Sequence, residues 1–125
     1  GVDLFDNGQN IPLAKKHDMG VIGIRSHAAG ALTAAVDRPV PPGDELLRQD
    51  VKSAAQLGFL LDGSIETLSQ AATVFCLMNR DIHTTVPGVK NRAETEEMAD
   101  CIDLAPFSPA QMNRLRELYF NGFGN

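Results

Sequence analysis

The chain has 125 residues, 43% of them apolar and 22% charged, with a formal net charge of −5. That make-up suits one globular domain with a single core. It excludes two partner classes: no dense Lys/Arg block offers a footprint to nucleic acid, and no apolar run reaches the ~20 residues that span a bilayer.

Taken in chain order, the first helix is expected from Asn10, a capping residue, through Ile11, Leu13 and Ala14 to Lys15-Lys16-His17, whose cations oppose the negative end of the helix dipole. The apolar run Gly20-Val21-Ile22-Gly23-Ile24 follows and reads as a strand buried on both faces. Residues 25–43 are rich in Ala, Gly and Pro, and a loop of that length in a compact domain is usually functional or mobile. Asp44 opens a helix with Leu47, Val51, Ala54/Ala55, Gly58 and Leu61 at helical spacing, and Asp62-Gly63 breaks it. Ser64 is placed to cap the next helix, whose apolar face is Ile65, Leu68, Ala72, Phe75 and Leu77/Met78.

The β-branched run Ile82-His83-Thr84-Thr85-Val86 is the second strand, ending at Pro87-Gly88. Asn91-x-x-Glu94 has the form of a capping box and predicts a helix with Thr95, Met98, Ala99 and Ile102 inward. Ser108-Pro109-Ala110-Gln111 is a stronger version, with Met112, Leu115, Leu118 and Tyr119 as the inner face. The tail, residues 121–125, is expected to be mobile. Strands alternating with helices predict a parallel α/β sheet. Two strands leave both outer edges unpaired, so the pattern reads as a piece of a larger α/β protein.

Residues that carry chemistry are few. Cys76 and Cys101 lack ligand spacing and read as two buried thiols in a reducing compartment. With no signal-peptide pattern at the N-terminus, the expected location is the cytoplasm. None of His17, His27 and His83 pairs with Cys, Asp or Glu at ligand spacing, so no metal site is expected. His17 reads as a helix-end residue, His83 as a strand residue hydrogen-bonded or packed in place, and His27 as a loop residue within reach of a ligand. No nucleophile-elbow context surrounds Ser26 or Ser64, and no GxGxxG follows a strand. Glu94, Glu96, Glu97 and Asp100 form a largely solvated helix face, with Glu97 alone singled out. Read one at a time, the Gly/Ala-rich loop after the first strand and Pro87-Gly88 after the second are plain turns.

Three stretches in order resemble the aldo/keto reductase family. Gly20 to Thr33 is similar to its "GVI" seventh barrel strand and small-residue "AGG-LT" loop; Ser64 to Met78 looks like its seventh helix ("QLALRWLL"); Thr85-Val86-Pro87-Gly88-Val89-Lys90-Asn91 resembles its "(V/I)IPGAR(N/S)" eighth strand and loop. The family's later "EEN" and "LS-EE" positions hold Glu96-Glu97-Met98 and Phe107-Ser108-Pro109 here. The resemblance implies an α/β fold, the C-terminal portion of a (β/α)₈ TIM barrel that is incomplete as given, since such barrels have about 250 residues. It implies NADP(H)-dependent hydride transfer that reduces aldehydes and ketones or oxidises alcohols and sugars.

By the same resemblance, Arg25 and Ser26 would lie beside the nicotinamide, and Ala28, Gly30 and Leu32 would line the pyrophosphate. Gly88, Val89, Lys90 and Asn91 would hold the adenosine phosphate, and Glu97 the adenine. The chemistry of both loops agrees: small residues let backbone N–H groups approach a phosphate, and a helix N-terminus with Lys90 beside it favours a 2′-phosphate. Two positions depart from the family. Met98 stands where an adenine-contacting Asn is common, and Glu94 where some members carry an Arg for the 2′-phosphate, which leaves NAD(H) open as the cofactor. The family's catalytic Tyr, Lys, Asp and His come from the first half of the barrel, and no set here matches them; the lone Tyr119 reads as a core or partner contact. The partners implied are a small carbonyl or alcohol substrate and the N-terminal remainder of the barrel, on the same or a separate chain. The alternative is a non-catalytic nucleotide-binding or protein-interaction module built on the same fold.

Overall fold

The computed structural model describes residues 9–33 and 39–124. The N-terminal segment read for a signal peptide, the middle of the Ala/Pro-rich loop and the last residue of the tail lie outside the described residues. The elements are α1 (Asn10–Lys16), β1 (Ile22–Ile24), α2 (Glu45–Ala54), α3 (Leu68–Leu77), β2 (Thr84–Val86), α4 (Arg92–Asp100) and α5 (Pro109–Phe120), in the expected order.

β1 and β2 lie side by side and parallel, with Ile22 opposite Thr84, Gly23 opposite Thr85 and Ile24 opposite Val86. Parallel neighbours need a crossover, and α2 and α3 supply it. The side of the sheet toward α3 is closed: Gly23 is buried, and a Cβ there would already touch Ile82 and Thr85 at 3.5 Å. The other side is open. Ile22 and Ile24 are 62% and 60% exposed and Val86 57%, which corrects the expectation of a strand buried on both faces. Side chains alternate across a strand, so Ile22, Ile24, Thr84 and Val86 share one face, and no described element covers it.

The core forms where α3 meets α5 and the turns Ala55–Leu60 and Cys101–Asp103. Leu60, Ile65, Ala71, Val74, Cys101, Phe107 and Leu115 close it, with the Phe75 and Phe107 rings stacked at 6.3 Å. Both cysteines are buried and free, and burial pushes each thiol above its ordinary value, so they stay protonated and inert.

The helix ends show where local signals hold and where packing overrides them. Asp44 accepts from Leu47 N–H and caps α2. Ser108 and Gln111 form the full capping box of α5, with Pro109 at its first position and Leu115 buried. The cap of α3 is Thr67, paired reciprocally with Gln70, and not Ser64, whose hydroxyl accepts from Ala105 N–H at 3.4 Å. The residue that caps α1 is Gln9, at φ 53°, so Asn10 is the first helical residue rather than the cap.

The inner face of α3 is also rotated from the one expected. Ala71, Thr73, Val74 and Cys76 are its buried residues, because the helix packs against β2, α4 and the turns Ala55–Leu60 and Cys101–Asp103, and its small residues admit close approach. In α4, Thr95 and Ala99 face out and Ile102 is 76% exposed. The α-helix ends at Asp100, and the tighter 3₁₀ turn that follows advances side chains by a different angle, carrying Cys101 rather than Ile102 inward. Leu61 likewise falls past the turn that extends α2, and is 40% exposed. The tail is tied back: Gly122–Gly124 forms a 3₁₀ turn whose Phe123 carbonyl accepts from Gln56 Nε2 at 2.8 Å.

Candidate functional site

Ligands of open and closed α/β sheets gather beyond the carboxyl ends of parallel strands. Because β1 and β2 are adjacent, the loops that leave them lie next to each other. Together with the start of α3 and one side of α4 they enclose a groove of about 940 Å³. Arg25, Gly30, Gly88, Val89, Lys90 and Glu97 line it, as do His27, Ser69, Glu94 and Met98. Six of the ten residues singled out as cofactor contacts thus meet in one place, although 58 to 72 positions separate Gly30 and Arg25 from Gly88 and Glu97 in sequence.

The first loop is wound tightly. Arg25, Ala28 and Ala29 have φ of 58°, 47° and 55°, and Gly30 lies at 101°, where only glycine is at ease. Such a run of left-handed non-glycine residues costs on the order of 1 kcal/mol each and marks a segment held in shape by its surroundings. Inside it, the N–H groups of Ala28, Gly30, Ala31, Leu32 and Thr33 donate to the carbonyls of Arg25, His27, Ala28, His27 and Gly30. The small residues therefore make the loop compact, and these N–H groups are not turned to the groove in this conformation. Ser26, Ala28 and Leu32 instead line a second, apolar cavity of about 420 Å³ between the loop, α3, α5 and the tail. Ile24 and Arg25 border both spaces. Ser26 Oγ is buried with no hydrogen-bond partner among the described residues.

His27 closes the floor of the groove and is only 8% exposed. Its Nε2 lies 3.3 Å from Thr73 Oγ1, and that hydroxyl donates in turn to Met98 Sδ at 3.2 Å. With the threonine proton directed at sulfur, Nε2–H is the donor to Thr73. Burial lowers the His27 pKa; the nearby Glu97 carboxylate and the backbone of Gly88 and Ser69 oppose that only in part. The ring is thus a neutral strut joining the first loop to α3 and the second loop.

At the opposite end, Asn91 Oδ1 accepts from Glu94 N–H at 2.9 Å and caps α4, so Asn91 serves the helix rather than the groove. Glu94 folds back over the same terminus: its carboxylate accepts from Lys90 N–H at 2.7 Å and from Asn91 Nδ2 at 3.0 Å. The anion that a helix N-terminus attracts is here part of the chain. Glu97 is held by Thr67 Oγ1, which donates to it at 2.6 Å while accepting from Gln70 N–H. The roles of His27 in the floor, of Glu94 as an internal anion and of Thr67 as a link between α3 and α4 do not follow from the sequence. Two of them leave a usable signal, Thr67-x-x-Gln70 and Asn91-x-x-Glu94, each in the form of a capping box. His83 is hydrogen-bonded at the end of the sheet, accepting from Val21 N–H at Nδ1 at 3.1 Å. Among the described residues no group of His, Cys, Asp and Glu could hold a metal ion, and no helix is long and apolar enough to cross a membrane.

Residues 4–119 match the aldo/keto reductase family. Neither the curated proteins nor the solved structures contain a match.

Proposed function

Since the chain belongs to the aldo/keto reductase family, a group of oxidoreductases built on the (β/α)₈ barrel, we propose that it supplies the wall of a nicotinamide-dinucleotide site formed by the last two barrel strands and their loops. The observation that carries this reading is the groove at the carboxyl ends of β1 and β2, which gathers Arg25, Gly30, Gly88, Val89, Lys90 and Glu97. Its chemistry fits such a cofactor. Arg25, directly after β1, stands at the strand end and suits the polar edge of a nicotinamide. Lys90 and Glu97 stand at the far end, suited to the adenosine. The cofactor, NADP(H) or NAD(H), would carry the hydride exchanged with an aldehyde, ketone, alcohol or sugar.

This chain's own residues bind and orient; they do not supply the proton. Tyr119 lies on α5, lines the apolar cavity and meets the Phe120 ring edge-on at 5.5 Å. The phenol that would act as general acid, with its lysine, aspartate and histidine, comes in this reading from the other staves of the barrel, on the same or a separate chain. The open face of Ile22, Ile24, Thr84 and Val86 is where they would pack.

Titration of NADPH and NADH fluorescence tests the reading, helped by a chain with no Trp to interfere. Binding together with carbonyl reduction is expected once the remaining staves are present, and no reduction by the 125 residues alone. A response from neither cofactor in the complete barrel defeats it. A second reading, nucleotide binding without catalysis, draws on the self-contained core around Leu60, Phe107 and Leu115; it predicts binding with no turnover in any assembly.

A further inference from the structure

We propose that Met98 is an oxidation-sensitive latch, and that conversion of its thioether to the sulfoxide loosens α4 on the core and opens one wall of the groove. The inference goes beyond the dinucleotide reading and does not depend on what the groove binds. α4 has no fully buried residue, and Met98 is its one side chain packed against the core cluster that includes Val74 and Cys101. The tie from Thr67 to Glu97, between the start of α3 and α4, is solvent-exposed. Met98 also lines the groove, so a molecule the size of hydrogen peroxide can reach its side chain from solvent. Of the four methionines, only Met98 combines these two positions: Met19 is 59% exposed, and Met78 and Met112 pack on the core without lining the groove.

Thr73, 1% exposed, donates its hydroxyl proton to Met98 Sδ at 3.2 Å, and the same hydroxyl accepts from His27 Nε2 at 3.3 Å. One sulfur lone pair is engaged there, and the second is left to react. It attacks one oxygen of a peroxide, and the O–O bond breaks as the S–O bond forms. Sulfur gives up two electrons; the departing hydroxide takes the proton of the bound oxygen and leaves as water. The product is a polar, branched side chain where an unbranched apolar one fitted. An oxygen at that place must either be buried against the core, which is costly without donors, or swing into the groove and take the side chain with it. Either way the contact that seats α4 is weakened, and the disturbance reaches His27 through Thr73.

The test treats the full-length protein with hydrogen peroxide and follows peptide mass together with hydrogen exchange of α4, residues 92–100. Met98 is expected to gain one oxygen, and the α4 amides should then exchange about tenfold faster, the scale on which burial of an unpaired polar group opens a structure locally. Methionine sulfoxide reductase with a thiol reductant should restore the slow exchange. Met98→Leu keeps the volume without the sulfur, and its α4 should exchange at one rate with or without peroxide, although Met19 is oxidised as before. Circular dichroism checks that this variant is folded; the reductase arm, on native protein, stands without it. Met98 still unmodified when Met19 has fully reacted overturns the proposal. So does oxidised Met98 with unchanged exchange in α4, or an acceleration that persists in Met98→Leu. None of these outcomes bears on the dinucleotide site, which cofactor titration tests separately.

Discussion

Thr67 joins two jobs that can be separated by substitution. Its hydroxyl accepts from Gln70 N–H at 3.1 Å, capping α3, and donates to Glu97 at 2.6 Å, tying α4 to the start of α3. Replacing it with Ala removes both. Loss of an N-cap costs about 1 kcal/mol. A hydrogen bond to a carboxylate is worth about 1.5–3 kcal/mol in general, but this one is solvent-exposed, and screening reduces it to about 0.5–1 kcal/mol. Thr67→Ala should therefore lose about 1.5–2 kcal/mol. With a urea dependence of roughly 1–3 kcal/mol per molar, the unfolding midpoint should fall by about 1 M, read by circular dichroism. Thr67→Ser keeps the hydroxyl and should lose less than about 0.5 kcal/mol. In a double-mutant cycle with Glu97→Ala, the coupling should come out near 0.5–1 kcal/mol. A midpoint unmoved by Thr67→Ala, or a serine variant as weak as the alanine one, refutes this account of how the two helices are joined.

Three further outcomes are expected. Phe107 is 6% exposed and stacked on Phe75, so Phe107→Ala should cost about 3–5 kcal/mol, a large share of the 5–15 kcal/mol typical of a domain; thermal melting checks it, and a shift of only a degree or two would contradict the core as described. Burial lowers the His27 pKa below its ordinary 6.5, so the unfolded chain binds the proton more readily than the folded one. The stability from keeping His27 neutral is complete above about pH 6.5, declines as pH falls from there toward the lowered folded value, and changes no further below it. Urea midpoints from pH 5 to 8 should show that decline, and His27→Gln should flatten it; an unchanged slope would sink the assignment. Finally, Ile24→Thr on the open sheet face should shift the chain's own stability by no more than about 0.5 kcal/mol, yet weaken association with polypeptide that completes the barrel. Gel filtration of the mixture measures it, and unaltered association would argue that the face has another use.

Most of the element order is legible in the residues, because helix and strand leave different periods in the sequence and because Asp44, Asn91 and Ser108 are strong local caps. The departures share one origin. The sequence offers two end signals, Ser64 after the Asp62-Gly63 break and Thr67-x-x-Gln70, and its spacing places Ile102 inward; which end signal operates, and where an α-helix tightens to 3₁₀, depend on what the helix packs against. The apolar run of β1 implies burial on both faces, but burial is a property of neighbours, and no described neighbour lies over Ile22 and Ile24.

The candidate site divides in the same way. Residue order alone determined that two loops follow two parallel strands, that small residues fill the first, that a helix begins after the second, and which family the chain belongs to. Only the packed structure decided that Ala28 and Leu32 turn toward an apolar cavity and that the Glu94 carboxylate reaches the N–H of Lys90. It also joined His27 to Thr73 and Thr67 to Glu97, partners 46 and 30 positions apart. Local pattern constrains the backbone of a segment, whereas the direction of a side chain is settled by atoms that arrive from elsewhere in the chain.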